Sequence, residues 1–575
     1  MTNPIEKKLK KIITSELSKS SIQTRADLDC FKRRIAKKYG LTILKNSELL
    51  KIYHETTAKK REGFNSSPLL EILLRKRPVR SLSGIVNVSV LTKPYPCPGK
   101  CIFCPQEKNV PKSYLKNEPA VQRAIVNKFN PYQQVIMRLR ALKETGHPTD
   151  KIEIRIIGGT WSYYPKTYQR WFITECFRAC NNFNKRIKNQ ESRIGACGEA
   201  YRDHLYRSFQ RGGLCKLCKL QQKNEKAKCR AVGIAVETRP DFINPSEIKQ
   251  MRELGITKVE LGVQTLYDDI LSQNQRGHNV DATITATRLL KNAGFKISYQ
   301  IMPDLYGSNL KKDAAMFCEL FENPDFKPDY LKIYPLALIK NTALHRLYQA
   351  KKYKPYARKE LLRLLIEIKK HIPYWCRVER IIRDIPSTDI IEGGSKVLNL
   401  REIVQKEMQK RGLRCRCVRC REVKKNYNPK ERIKLFREDY EASNSKEVFL
   451  SFENQSRSKI YALLRLRLPS SEAPSAFFKK ALGAFQSLLL NSNTAIIRDL
   501  HTYGQTARIE QGLPLLNSLS VQHKGLGKKL IKKAEKITGK EFGLAKIAVI
   551  AGVGTRNYYR KLGYRLKNTY MVKRL

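Results

Sequence analysis

No stretch of this chain stays apolar for the roughly 18–20 residues that a bilayer-spanning helix needs. The longest uncharged run, residues 481–497 (ALGAFQSLLLNSNTAII), is broken by Gln486, Asn491 and Asn493. The first residues alternate Lys with Ile and Leu and lack the apolar core and cleavage site of a secretion signal. A cytoplasmic protein with no membrane partner is expected. Acidic residues are the second shortage: 52 Asp and Glu stand against 112 Lys and Arg, a formal net charge of +60. A basic substrate would be repelled, whereas a polyanion gains from the release of condensed counterions. Nucleic acid is the leading partner class, although charge alone does not separate RNA from DNA. A disulfide pattern is missing too. The 15 cysteines fall in close groups without a secretion signal, which reads as metal ligands in a reducing compartment.

At 575 residues the chain exceeds one core and suggests about three or four domains. Residues 1–80 are dense in Lys and Leu at helical spacing, as in KLKKIITSELS and SPLLEILLRKRPVRS, and read as a small basic helical domain or arm, the plain alternative being an amphipathic helix with a solvated cationic face. From 81 to 385 strands alternate with helices: GIVNVSVLT, KIEIRIIGGT, AVGIAVETRP, KVELGVQT, KISYQIMPD and YLKIYPLAL. That alternation implies a parallel sheet, and this many repeats suit a barrel or partial barrel with its chemistry at the C-terminal strand ends. A polar insertion over 181–230 carries Cys197, Cys215, Cys218 and Cys229, which have the makings of a second metal site. Residues 386–445 read as a connector stapled by zinc on Cys415, Cys417 and Cys420, and 446–575 as a compact α/β module.

Cys97, Cys101 and Cys104 form a C-x3-C-x2-C run with no fourth cysteine beside it. Three thiolates at this spacing can hold three corners of a [4Fe-4S] cluster and leave one iron open. A zinc knuckle with a distant fourth ligand, or three incidental core cysteines, are the alternatives. Gly158, Gly159 and Thr160 end one strand and could take the methionine end of S-adenosylmethionine, while Glu237 and Gln264, at later strand ends, could reach its ribose or carboxylate. In the last module Gln522-His523-Lys524-Gly525-Leu526-Gly527 opens an amphipathic helix. Glycines at such a turn let backbone N–H groups approach a pyrophosphate. Tyr558 and Tyr559 start a later helix; ordinary packing of one and exposure of the other is the plain reading.

The three-cysteine run resembles that of radical-SAM enzymes, and Q-x-x-G-x-G resembles the coenzyme A loop of the GNAT acyltransferases. The two modules in this order resemble the catalytic subunit of Elongator, a family also described as tRNA carboxymethyluridine synthases. The likeness runs from Arg75 to the C-terminus, through RSLSGIVNVSVLTKPYPCPGKCIFCP, GGTW, VETRPD, GVQT, RGH, MPDLYGS, RDIP, RCREV, RDLHTYG, VQHKGLG and GVGTRNYYRKLGYRL. It implies a radical-SAM partial (β/α) barrel followed by a GNAT domain. The implied reaction takes a 5′-deoxyadenosyl radical and acetyl-CoA to carboxymethylate C5 of the wobble uridine in the tRNA anticodon stem-loop. By the same resemblance, acetyl-CoA would touch Lys151, Asp499, Leu500, His501, Thr502, Val521, Gln522, His523 and Tyr558. Lys151, Tyr558 and Tyr559 are the candidate catalytic residues, with Tyr558 beside the thioester. Three departures stand out. The cysteine spacing is the short form of bacterial and archaeal members, implying action without other Elongator subunits, as a monomer or homodimer. The insertion is richer in cysteine than expected, and Asp499 replaces a frequent Glu, a shorter reach for a base. The other function classes are a protein lysine acetyltransferase, which the charge disfavours, and a non-catalytic tRNA-binding scaffold, against which the intact motifs count.

Overall fold

The computed structural model describes residues 4–18, 20–58, 68–183, 213–397, 399–424, 427–469, 493–504, 521–522 and 524–575. Seven strands make the first sheet: β1 (Val86–Leu91), β2 (Lys151–Ile157), β3 (Arg230–Thr238), β4 (Lys258–Gln264), β5 (Lys296–Ile301), β6 (Tyr330–Ile333) and β7 (Arg377–Arg380). They pair in chain order and all in parallel, so each neighbouring pair needs a crossover between its strands. The sheet is the expected partial barrel. It does not close, and β1 and β7 are its two edges.

Alternation along β2 shows how the barrel is filled. Ile152, Ile154 and Ile156 are buried in the main core, while Lys151, Glu153 and Arg155 point the other way, into the lumen. The lumen is charged. Arg155 donates to Glu260 at 2.6 Å, Lys332 bridges Glu260 and Glu237, and Lys258 meets Glu379 at 2.6 Å. Buried charges of this density persist only when each finds a partner. At the β1 edge the Gln134 amide, on α6 (Pro131–Glu144), caps the strand by bonding both the N–H and the C=O of Leu91 at 2.9 Å.

The second sheet has the order β13-β14-β12-β11-β10-β9-β8. Its strands are β8 (Ile433–Glu441), β9 (Lys446–Asn454), β10 (Ile460–Arg467), β11 (Thr494–Thr502), β12 (Lys546–Val549), β13 (Arg565–Lys567) and β14 (Tyr570–Arg574). It opens at Ile433, inside the stretch read from sequence as connector. β8 is a half-exposed edge strand, so its IKLFREDYE carries too many charges to announce itself. Only β11 and β12 pair in parallel, from Thr494↔Lys546 to Ile497↔Val549. Past that point β12 ends and β11 continues to Thr502, which leaves a wedge between them.

This sheet packs under the N-terminal ends of the barrel strands. Arg498 on β11 grips both oxygens of Asp329, just ahead of β6, at 2.6 and 2.8 Å, and also bonds the Phe295 carbonyl. Tyr330 donates to Asp499 at 2.6 Å, and Arg467 reaches Asn292. The N-terminal segment is helical as expected: α1 (Pro4–Ser18), α2 (Arg25–Lys38), α3 (Asn46–Ala58) and α4 (Pro68–Leu74). Ile13, Phe31, Leu50 and Leu74 contribute to a core of its own. The 3-10 turn Pro78–Ser81 then leads into β1.

Candidate active site

Two chemically distinct constellations lie at opposite ends of the barrel strands. At the C-terminal end, a cavity of about 760 Å³ is lined by Cys97, Cys101 and Cys104 and by Gly159, Thr160, Glu237 and Gln264. These are the residues singled out from sequence, and all of them but Gly158 face the cavity. A Cβ built on Gly99 would come 3.8 and 3.5 Å from the Cys97 and Cys101 sulfurs and 2.7 Å from Arg239 Nη1, so Gly99 lies between the two thiols and the Arg239 guanidinium. Thr160 Oγ1 stands 3.8 Å from Cys97 Sγ. Arg276 Nη1 points at Cys101 Sγ across 3.3 Å. The Cys101 thiol is pulled down to about 5, first by its hydrogen bond with Cys104 and then by Arg276 and Arg239, against the upward push of burial. A thiolate is the form that binds iron.

Other features fit an adenosyl ligand beside a cysteine-held cluster. Gln264 has φ 76, a conformation rare outside glycine, and its Oε1 is buried without a partner. Arg239 Nη1 and Arg276 Nε are likewise buried and unpartnered. Glu237 accepts from Tyr114 at 2.9 Å, Gln300 at 3.2 Å and Lys332 at 3.1 Å. Sequence reasoning assigned no role to Arg239, Arg276 or Tyr114. Arg239 and Arg276 lie within the VETRPD and RGH motifs, and that was their one signal.

At the N-terminal end, Lys151 at the start of β2 donates to Gln522 Oε1 at 2.9 Å. The Gln522 amide in turn donates to the carbonyls of Gly84 and Thr502, both at 3.1 Å. Burial lowers Lys151 to about 8. Gly525, φ 80, precedes the helix Leu526–Lys536, whose N-terminus has no side-chain cap among the described residues. Its N–H groups stay available to an anion. A Cβ on Gly527 would meet the Tyr558 hydroxyl at 3.1 Å, Thr502 Oγ1 at 3.9 Å and Leu500 at 4.0 Å, so Tyr558 aims at the wedge mouth. Tyr559 turns away and is buried between Tyr558 and Tyr564. Asp499 is committed to Tyr330 and Arg465, and His501 donates to the Ser83 carbonyl at 2.6 Å. Both tie the modules together. Val521 packs against Gly504, and Lys524 lies on Tyr427. His523 lies outside the described residues.

Among the described residues, one group of three potential ligand atoms clusters within 4.8 Å: the thiols of Cys415, Cys417 and Cys420. Lys369 Nζ lies 3.5 Å from Cys420. The insertion behaves otherwise. Cys229 is buried against Cys180, whereas Cys215 and Cys218 are exposed on the helix Gly213–Asn224, and Cys197 lies outside the described residues.

The chain matches the family model of the Radical SAM superfamily over residues 95–317 and that of the Radical_SAM C-terminal domain over 328–410. It is 42% identical over 542 residues to the tRNA uridine(34) acetyltransferase of Methanocaldococcus infernus, covering 92% of this chain and 91% of that protein. The protein of the same name from Dehalococcoides mccartyi is 40% identical, with 87% and 100% covered. Human Elongator complex protein 3 is 35% identical, with 96% and 93% covered. The solved structure of the archaeal Methanocaldococcus infernus Elp3 with an N-terminal deletion superposes with a TM-score of 0.68 at 39% identity, over 86% of this chain and all of that one.

Proposed function

The chain belongs to the family of tRNA uridine(34) acetyltransferases and Elongator complex protein 3, and from that premise we propose that it carboxymethylates C5 of the wobble uridine in tRNA, drawing the two carbons from acetyl-CoA. It is a radical-SAM enzyme that modifies this uridine. The carboxymethyl product is supported by one interaction above all, the Lys151–Gln522 hydrogen bond, which joins the barrel to the glycine loop of the second module. Cys97, Cys101 and Cys104 would hold the cluster, and Gly159, Thr160 and Gln264 would hold S-adenosylmethionine. A [4Fe-4S] cluster with this ligand would supply a carbon-centred 5′-deoxyadenosyl radical able to take a hydrogen atom from the acetyl methyl group.

The chain's own residues prepare the rest. The hydrogen bond from Cys104, and then Arg276 and Arg239, favour the Cys101 thiolate. The uncapped helix start at Leu526 would bind the coenzyme A pyrophosphate. Lys151, lowered to about 8 by burial, would donate to an acyl carbonyl when protonated, and Tyr558, at the wedge mouth beside Gly527, would donate a proton to sulfur. The Cys415, Cys417 and Cys420 thiols would take zinc, with Lys369 beside them to offset thiolate charge. The N-terminal helices would contact the anticodon arm, and the protein would act without other Elongator subunits.

The test is anaerobic reconstitution with iron and sulfide, followed by incubation with tRNA, S-adenosylmethionine and acetyl-CoA. Mass spectrometry should find 5′-deoxyadenosine and a carboxymethyl gain on one uridine. Release of 5′-deoxyadenosine without any mass gain would sink the carboxymethyl reading. Cys101→Ala should abolish both products and leave tRNA affinity unchanged, because phosphate contacts dominate binding.

A further inference from the structure

Nine arginines line the cavity that holds the three cysteines. Five of them are engaged. Arg155 pairs with Glu260, Arg239 with Asp241, Arg380 with Asp384 and Arg383 with Glu118, while Arg276 is spent on Cys101 and the Gly262 carbonyl. The other four, Arg77, Arg80, Arg123 and Arg138, stand together on the β1 side of the mouth. They come from the Pro78–Ser81 turn and the residue before it, from α5 (Pro119–Val126) and from α6. Among the described residues none of the four makes an ion pair; Arg123 donates only to the Pro119 carbonyl. Burial and then repulsion lower three of them: Arg80 feels Arg77, Arg123 feels Arg80 with Asp384 in part opposing, and Arg138, pushed down to about 10, feels both Arg80 and Arg123. A fold that neutralises every inner arginine of one cavity and crowds four at its rim has left a place for an anion.

The surroundings say what kind. Each of these arginines has an exposed apolar neighbour in sequence: Val79 (54% exposed), Ile125 (41%), Val126 (73%) and Met137 (41%). These are four of the nine large exposed apolar side chains of the described residues, and they lie on the same three segments as the arginines, outside the cavity wall. One small anion would need neither four guanidinium groups on three elements nor apolar surface beside them. A single-stranded nucleic acid would use both, with phosphates on the arginines and unstacked bases on the apolar side chains. Arginine suits phosphate because its planar fork bonds two oxygens at once.

We propose that Arg77, Arg80, Arg123 and Arg138 form a phosphate grip for single-stranded RNA, holding the backbone on either side of the nucleotide whose base enters the cavity toward Cys97, Cys101 and Cys104. This rests on the reading of tRNA as the substrate. A base that is to react must leave its stack, and clamping the two flanking phosphates turns the nucleotide between them inward.

The full chain is titrated with an anticodon stem-loop carrying an unmodified uridine 34, across a salt series. Arg80→Gln with Arg138→Gln should weaken binding about tenfold or more and flatten the salt slope by roughly 0.7 for each phosphate no longer neutralised. Arg80→Lys with Arg138→Lys should keep most of the slope and lose part of the affinity. Arg565→Gln with Lys567→Gln removes the same charge from the exposed edge strand of the second sheet and should stay within about twofold of wild type. Circular dichroism melts confirm folding. If the Gln pair does not fold, Arg77→Gln with Arg123→Gln carries the same expectation. Wild-type affinity and slope in a folded Gln pair would overturn the grip while leaving the tRNA reading intact. Absence of salt-dependent binding in the wild type would overturn both.

Discussion

Gly84 shows how much a single residue can decide. It has φ +83, and a Cβ there would sit 2.3 Å from Gln522 Nε2 and 2.5 Å from the Thr502 carbonyl. The first neighbour is a side chain that can move; the second is backbone and cannot. Gly84→Ala is therefore expected to push Gln522 off Lys151, raise the KM for acetyl-CoA and lower stability by about 1–3 kcal/mol. Steady-state hydrolysis of acetyl-CoA and a thermal melt read the two effects separately. Lys151 offers a pH signature. Unfolded, it keeps its proton to about pH 10.5; folded, it releases it near 8 because it is buried. Below pH 8 both states are charged and the folded chain carries the whole desolvation cost. Between 8 and 10.5 the unfolded chain binds more protons, so this residue's contribution to stability rises with pH. Melting temperatures of wild type and Lys151→Met across that window should diverge in favour of wild type as pH climbs. A constant gap would refute the assignment.

At the scale of elements, the helix Leu526–Lys536 separates backbone strain from site occupancy. Gly525 has φ 80 with nothing within 4 Å of a built Cβ, whereas Gly527 has ordinary φ but faces the Tyr558 hydroxyl at 3.1 Å. Gly525→Ala should cost about 1 kcal/mol by forcing an unfavourable turn, with little change in KM. Gly527→Ala should do the reverse, crowding the wedge and raising KM while leaving the melt nearly unchanged. Calorimetry and acyl-CoA kinetics on the two variants distinguish these outcomes. This helix also marks what was legible beforehand. The cysteine run, the glycine loop and the alternation of barrel strands are local patterns, because the chemistry they serve fixes residue type and short-range spacing together. Asp329 and the grouping of Arg77 with Arg138 carry no such mark, and Gly84, though inside the RSLSG motif, gave no sign of its partner. The partners lie 169, about 60 and 438 positions away in sequence. β8 went unread for a different reason: a half-exposed edge strand needs no apolar face strong enough to show.

Across the whole molecule, the two sheets share one apolar core, and a set of buried charges is built into the seam between them. Asp329 is fully buried, accepts both prongs of Arg498, and receives the Ile297 N–H at 2.9 Å. Burial pushes its carboxyl upward, yet Arg498 and then Lys291 hold it below the usual range. Nearby, Arg467 and Arg498 share Glu447, and Tyr570 donates to the Ala293 carbonyl. This junction fixes the acyl wedge beneath a barrel whose other end holds the cysteines. The ends of β2 are about 20 Å apart at 3.3 Å per residue. The charged layer of Arg155, Glu260 and Lys332 fills the lumen between them. A slack joint would lose the alignment of both substrates, so rigidity at Asp329 serves the reaction. Removing one partner of such a pair strands the other charge, whereas replacing both with apolar groups removes the problem. Asp329→Leu alone should destabilise by about 3–5 kcal/mol, and Asp329→Leu with Arg498→Met by clearly less. If the pair were incidental, the two would add. Calorimetric melts of wild type, both single variants and the double variant close the cycle, and a coupling near zero would show that the sheets are held by something other than this bridge.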